Sequence, residues 1–115
     1  MGITRGIKVA VVSELEIKEI GKIIDKMGIL GLRWCLEFFR KRGILLKEIA
    51  RKSGMSDVYI YQIKTGIRTN VTTEVKRKIM LACYSLSPTT FKEFLLWFLE
   101  EFKKELEELL GQKIP

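Results

Sequence analysis

The sequence predicts an all-α fold, and three observations carry that expectation. Apolar residues recur at intervals of three and four along most of the chain, the spacing of one helical face. Serine, threonine, glycine and proline stand where these stripes begin and end, as helix caps do. No pair of alternating apolar and polar runs joined by a hairpin turn occurs in the 115 residues.

The first twelve residues are ambiguous. Ile7-Lys8-Val9-Ala10-Val11-Val12 is β-branched and suits a short strand, an arm or a ragged helix start. Ser13 and Glu16 then have the spacing of a capping box. Ile17, Ile20, Ile24 and Met27 form one stripe behind it, closed by Gly28. A second helix is expected from Ile29 to Arg42. Leu32, Leu36 and Phe39 are its inward line, but Trp34, Cys35 and Phe38 are apolar too, so it should be central and buried on most sides. Two short helices follow Gly43, Leu46 to Ser53 and Asp57 to Thr65, separated by Gly54-Met55-Ser56. Ser56 can cap the second of them, with the charge of Asp57 at the positive end of its dipole, and Gly66 can end it. After a polar loop, Thr72 caps a helix with Val75, Ile79, Ala82 and Leu86 at helical spacing. Ser87-Pro88 breaks the chain, with proline well placed at the first turn of a new helix. Thr90 and Glu93 have capping-box spacing, and this last helix runs to about Leu110, where Gly111 stops it. The chain therefore divides into an N-terminal arm and helix (1–28), a central helical domain (29–86) and a C-terminal helix (87–115).

Composition narrows the function classes. Histidine is absent, which removes imidazole bases and His-based metal clusters. Cys35 and Cys83 lie far apart among apolar neighbours and read as reduced core residues rather than a zinc or redox pair. There is no G-x-G-x-x-G or P-loop sequence, so neither an enzyme nor a bound cofactor is expected. The longest apolar run, Phe94 to Leu99, is far short of the ~18 residues of a membrane span. With no signal-peptide pattern, a soluble cytoplasmic protein is expected. Few amides, Asn70, Gln62 and Gln112, beside many lysines and glutamates fit a thermophilic source.

Charge points to a partner. The formal net charge is +7 and the pI near 9.5. Residues 40–78 alone carry 11 basic against 3 acidic side chains, whereas residues 87–115 carry 4 against 6. One surface is thus suited to a polyanion and another is not.

The stretch Leu46 to Gly66 carries the most specific pattern. Counting from Leu46, Ala50 is fifth, Gly54 ninth, Ile60 fifteenth and Ile63 eighteenth. A small fifth residue lets two helices cross closely, glycine eases the turn, and Ile49, Met55, Ile60 and Ile63 hold the second helix to the body. This pattern resembles the helix-turn-helix of the phage lambda repressor and Cro superfamily. Leu32 to Gly43 looks like that family's first helix. Val71 to Ile79 is similar to the segment after the recognition helix in lac-repressor-type headpieces. The resemblance spans about residues 30–95. It implies a five-helix lambda-repressor-like DNA-binding domain, here with an additional N-terminal helix and a long C-terminal dimerisation helix.

Residues opposite Ile60 and Ile63 would then read double-stranded DNA. The expected base contacts are Asp57, Val58, Tyr61 and Gln62: Gln62 on adenine N6 and N7, Val58 on a thymine methyl, Asp57 on cytosine N4. Tyr61 also suits a phosphate or sugar contact. Arg40, Arg42, Lys47, Ser56, Lys64, Thr65, Arg68, Lys76 and Arg77 are the expected backbone contacts. The chain departs from the family pattern at Leu46, where many relatives place a polar phosphate ligand, and at Asp57, an anion facing an anionic groove.

Leu95, Leu99, Phe102, Leu106 and Leu109 recur at 4, 3, 4 and 3, a heptad seam. Phe91, Phe94, Leu96, Trp97 and Phe98 are apolar too, more than one face holds, so the first half of this helix is expected to pack on its own domain on one side and on a second subunit on the other. The seam predicts a homodimer presenting two recognition helices to half-sites ~34 Å apart, and the alternative is a tail folded wholly onto its own domain. The acidic polar face of this helix, Glu100, Glu101, Glu105, Glu107 and Glu108, argues against a membrane surface. The chain has no room for a lac-repressor-type effector domain, so no small-molecule effector is expected. The reading is a small dimeric transcriptional repressor. The alternative is a protein-interaction module of inhibitor or antitoxin type built on the same fold.

Overall fold

The computed structural model describes residues 14–111, all of whose regular structure is helical. The helices are α1 (Glu14–Lys26), α2 (Ile29–Lys41), α3 (Leu46–Ser53), α4 (Asp57–Thr65), α5 (Thr73–Leu86) and α6 (Pro88–Leu110). Ile7 to Val12 and the proposed cap Ser13 lie outside the described residues.

Helix α1 buries Ile20 and Ile24, and Met27 just after it is buried too, but Ile17, also expected inward, is 38% exposed. The reason lies in how α1 meets α5, its main neighbour. Arg77 of α5 grips both carboxylate oxygens of Asp25, at 3.1 and 2.6 Å, and Lys76 donates to the carbonyl of Met27. These two contacts fix the end of α1 against α5, and the core reaches Ile20, while the turn before it lies at the rim with Glu16 paired to Lys92 of α6 at 3.7 Å.

Helix α2 is central, as expected. Leu32, Cys35, Leu36 and Phe39 are buried, and the helix packs against α4, α5 and α6. It ends at Lys41, with Arg42 as its C-cap. Helices α3 and α4 follow the capping signals closely. Glu48 accepts from the N–H of Leu45 at the start of α3, and Ser56 Oγ accepts from the N–H of Tyr59 at the start of α4. Between them Gly54 takes φ +77°, a left-handed conformation that glycine adopts without steric cost. Ile49, Ala50, Ile60 and Ile63 are buried, and Met55 packs against the core from the turn.

Helix α5 is more enclosed than its stripe suggests. Thr72 caps it, accepting from the N–H of Val75, and Ile79 and Ala82 are buried. Met80, Cys83 and Tyr84 are buried as well, because α1, α2, α3 and α6 all pack on this helix. The Tyr84 hydroxyl has no hydrogen-bond partner among the described residues.

The start of α6 has Pro88 in its first turn, as the sequence suggests, and corrects only the Thr90–Glu93 capping box. The cap is Ser87, whose Oγ accepts from the N–H of Thr90, with Pro88 at the first helical position. Thr90 is already inside the helix and Glu93 is paired with Arg42 instead of closing a capping box. Proline fixes its own φ near the helical value, so the helix begins at Pro88 and Thr90 lies within its first turn.

The core does not stop at the boundary between the central helices and α6. One apolar cluster runs through all six helices, from Ile20 and Ile24 to Phe91 and Phe94. Helices α2 and α6 run antiparallel along an aromatic ladder: Phe39 meets Phe91, Phe38 meets Phe94, and Trp34 meets Trp97 and Phe98, with ring centroids 5.3–6.5 Å apart. A division at 86/87 therefore cuts the core. The apolar residues beside the heptad seam, Phe91 and Phe94, make this contact and carry the first half of α6 onto its own domain. Among the described residues no helix is long and apolar enough to cross a membrane.

Candidate nucleic-acid interface

Helix α4 lies with Ile60 and Ile63 completely buried, which turns the opposite side to solvent. Asp57, Val58 and Tyr61 are exposed there, Val58 by 64% and Tyr61 by 54%, and Gln62 is partly exposed beside them. The structure thus brings the four expected base-reading residues onto one side of a short helix.

Gln62 is not free. Arg68, from the loop after α4, donates from Nε to Gln62 Oε1 at 3.3 Å while its guanidinium lies 4.9 Å from the Tyr59 ring centroid. An arginine has no acceptor, so the amide oxygen of Gln62 is the engaged atom and the amide NH2 is turned away from it. The hydroxyls of Ser56 and Thr65 are both used locally. Ser56 caps α4, and Thr65 Oγ1 donates to the carbonyl of Tyr61 at 2.9 Å.

Helix α4 is held to α2 by polar contacts as well as by its isoleucines. Arg33 donates from Nε to the carbonyl of Ile63 at 3.1 Å, placing a cation at the negative end of the α4 dipole. Gly66, with φ +85°, ends the helix directly over this guanidinium. Lys64 reaches Glu37 at 3.1 Å, and Arg40 reaches the other oxygen of the same carboxylate at 2.6 Å. Sequence reasoning missed both Arg33 and Glu37. The available signal was a charged residue at position 33 in a helix otherwise apolar on most sides.

The Arg40 hydrogen bond, aided by Lys64, outweighs desolvation and holds the Glu37 carboxyl down at about 2 from an ordinary 4.5. A group with a depressed folded-state pKa contributes stability above its unfolded pKa and loses it as pH falls through the folded one. The Glu37 contribution is therefore complete above about pH 5 and fades towards about pH 2. Because Glu37 is one-third exposed, solvent screens it to a modest share of the total. Acid denaturation of Glu37→Gln and the unchanged chain should differ at pH 6 and converge near pH 2. Curves equally far apart at both would exclude this carboxylate as the source.

The expected backbone contacts separate into two groups. Lys64 and Arg68 stand on or beside α4, Arg40 joins them through Glu37, and Lys47 is exposed on α3. Arg42 lies over the Phe38 ring and pairs with Glu93 of α6, while Lys76 and Arg77 reach back to α1. Those three cations hold helices together here. Of the expected dimer residues, Leu95 and Leu106 are half-buried, and Leu99, Phe102 and Leu109 are 64%, 47% and 82% exposed. No family model, no curated protein and no solved structure matches this chain.

Proposed function

We propose that this chain is a sequence-specific DNA-binding regulator with a lambda-repressor-like fold, acting in the cytoplasm as a homodimeric repressor with α4 in the major groove. The observation that carries the reading is α4 itself. A nine-residue helix is clamped on its inner side by Ile60, Ile63, Arg33 and Glu37 and offers Asp57, Val58, Tyr61 and Gln62 outward, within the basic part of the chain. A rigid helix presenting a few side chains is what base reading needs.

The Arg68 contact refines what Gln62 reads. With Oε1 occupied, Gln62 presents donors, which suit guanine N7 and O6 or thymine O4. Pairing with adenine also needs Oε1 to accept from N6, so Arg68 would first have to leave. Val58 suits a thymine methyl, and Lys47 suits a phosphate.

Selection from a random DNA pool, followed by salt titration on the selected site, tests the reading. Log affinity should fall steeply with log salt, and Gln62→Ala should cost about 1–3 kcal/mol on the selected site while leaving random DNA unaffected. An Arg68→Ala chain should gain tolerance for adenine at the Gln62 position. Absence of salt-dependent DNA binding would sink the proposal. A second reading, a protein-binding module, draws support from Val58, Tyr61 and Ile67, three exposed apolar side chains on or just after α4. Binding of that kind would be nearly indifferent to salt.

A further inference from the structure

An apolar groove of about 580 Å³ opens between α1, α2 and the middle of α6. Its walls include Ile23 of α1, Met27 just after it, Leu30 of α2, and Leu95, Leu99 and Phe102 of α6. Ile23 and Leu30 are each more than 40% exposed, although both sit beside core residues. Nothing polar in the walls except Lys26 would reward water for filling it.

The same helix carries a second unsatisfied surface. Phe98 is the last residue of α6 packed against the core, yet the helix continues to Leu110. Along that extension Leu99, Phe102, Leu106, Leu109 and Leu110 fall on one side, and Leu109 and Leu110 are 82% and 60% exposed. One end of α6 thus has a wall of its own chain with a gap in it, and the other end has an apolar face with no wall.

We infer that the groove is filled by the end of α6 from a second copy of this chain, with the two α6 helices antiparallel about a two-fold axis near Phe102. This rests on the homodimer part of the proposed function and is independent of DNA binding. Antiparallel pairing sets Leu99 against the partner's Leu106 and brings the partner's Leu109 to Leu95, at the mouth of the groove between α1 and α2. Each copy then covers the other's groove with its own uncovered end, a self-complementary contact of the kind a two-fold axis requires. Parallel pairing along the seam would put end against end and leave both grooves open. Ile23 and Leu30 at the groove and Leu99, Phe102, Leu109 and Leu110 on the extension are all exposed in the single chain, and this contact covers them together. The extension is acidic, with Glu105, Glu107 and Glu108, and it arrives at the one charged wall residue, Lys26.

The test uses full-length Leu30→Cys and Leu109→Cys chains, a short bismaleimide and no DNA. Both positions are exposed in the single chain, so neither substitution removes a buried side chain. Cys35 and Cys83 are completely buried, and burial with the neighbouring Cys83 thiol pushes the Cys35 thiol well up, which keeps the native pair unreactive. A mixture of the two variants should shift to twice the chain mass on a denaturing gel, and neither variant alone should do so. Crosslinking of Leu109→Cys with itself would mean parallel pairing and would overturn the inference while leaving the dimer. Intramolecular crosslinking of a chain carrying Leu30→Cys and Val9→Cys would assign the groove to residues 7–12 and overturn it equally. An unmodified chain that sediments as a monomer would remove both the dimer and the inference.

Discussion

Phe94→Ala is expected to cost about 3–5 kcal/mol of stability, a large share of the ~5–15 kcal/mol a domain of this size commands. Phe94 is completely buried and its ring touches Phe38, Phe91, Trp97 and Phe98. Removing it takes the centre out of the α2–α6 ladder, and the surrounding rings cannot close the space without leaving their own partners. Urea denaturation followed by tryptophan fluorescence reads this directly, since Trp34 and Trp97 both belong to the ladder. The transition should stay single and move to lower urea. A loss below about 1 kcal/mol would mean that α6 is attached to the domain rather than part of it. By the same reasoning, a chain ending at residue 86 should fail to fold cooperatively.

The largest effect on assembly is expected from Leu99→Lys combined with Phe102→Lys. Both side chains are about half exposed or more in the single chain, so lysine is tolerated there while the chain is alone. In the paired state the two positions lie next to the axis, and enclosing the charges costs several kcal/mol unless the copies separate. Sedimentation should give twice the chain mass for the unchanged protein and one chain mass for the variant, with equal helical content. Binding to a two-half-site DNA should weaken far more than binding to one half-site, because linkage of two binding events is lost. Equal loss on both would place Leu99 and Phe102 in the DNA contact rather than between copies.

Local signals were the legible ones. Gly54, Ser56, Thr72 and Gly111 each act through the few residues beside them, and each stands where the pattern placed it. At the start of α6, Pro88 stands in the first turn as its fixed φ suggests, while the Thr90–Glu93 capping box does not form because Glu93 is taken by Arg42 from α2's end. Partners distant in the chain were illegible. Arg77 finds Asp25 52 residues away, Arg42 finds Glu93 51 residues away, and Arg33 finds Ile63 across 30. A count of charges in a window cannot see that neutralising carboxylates arrive from outside it. Ile17 shows the same limit for apolar residues: periodicity defines a face, and only the neighbouring helices define how far along that face the core extends.

Helix α2 carries the aromatic ladder towards α6 on one flank and the Arg33 and Glu37 clamps on α4 on the other. No loop intervenes between the surface proposed to join two copies and the helix proposed to read bases. The distance between the two reading helices in such a pair is set by side-chain packing, as in a rigid caliper, and not by the reach of a tether. An operator for this protein should therefore have one permitted spacer length, and inserting a single base pair between its halves should abolish joint occupancy instead of merely reducing it.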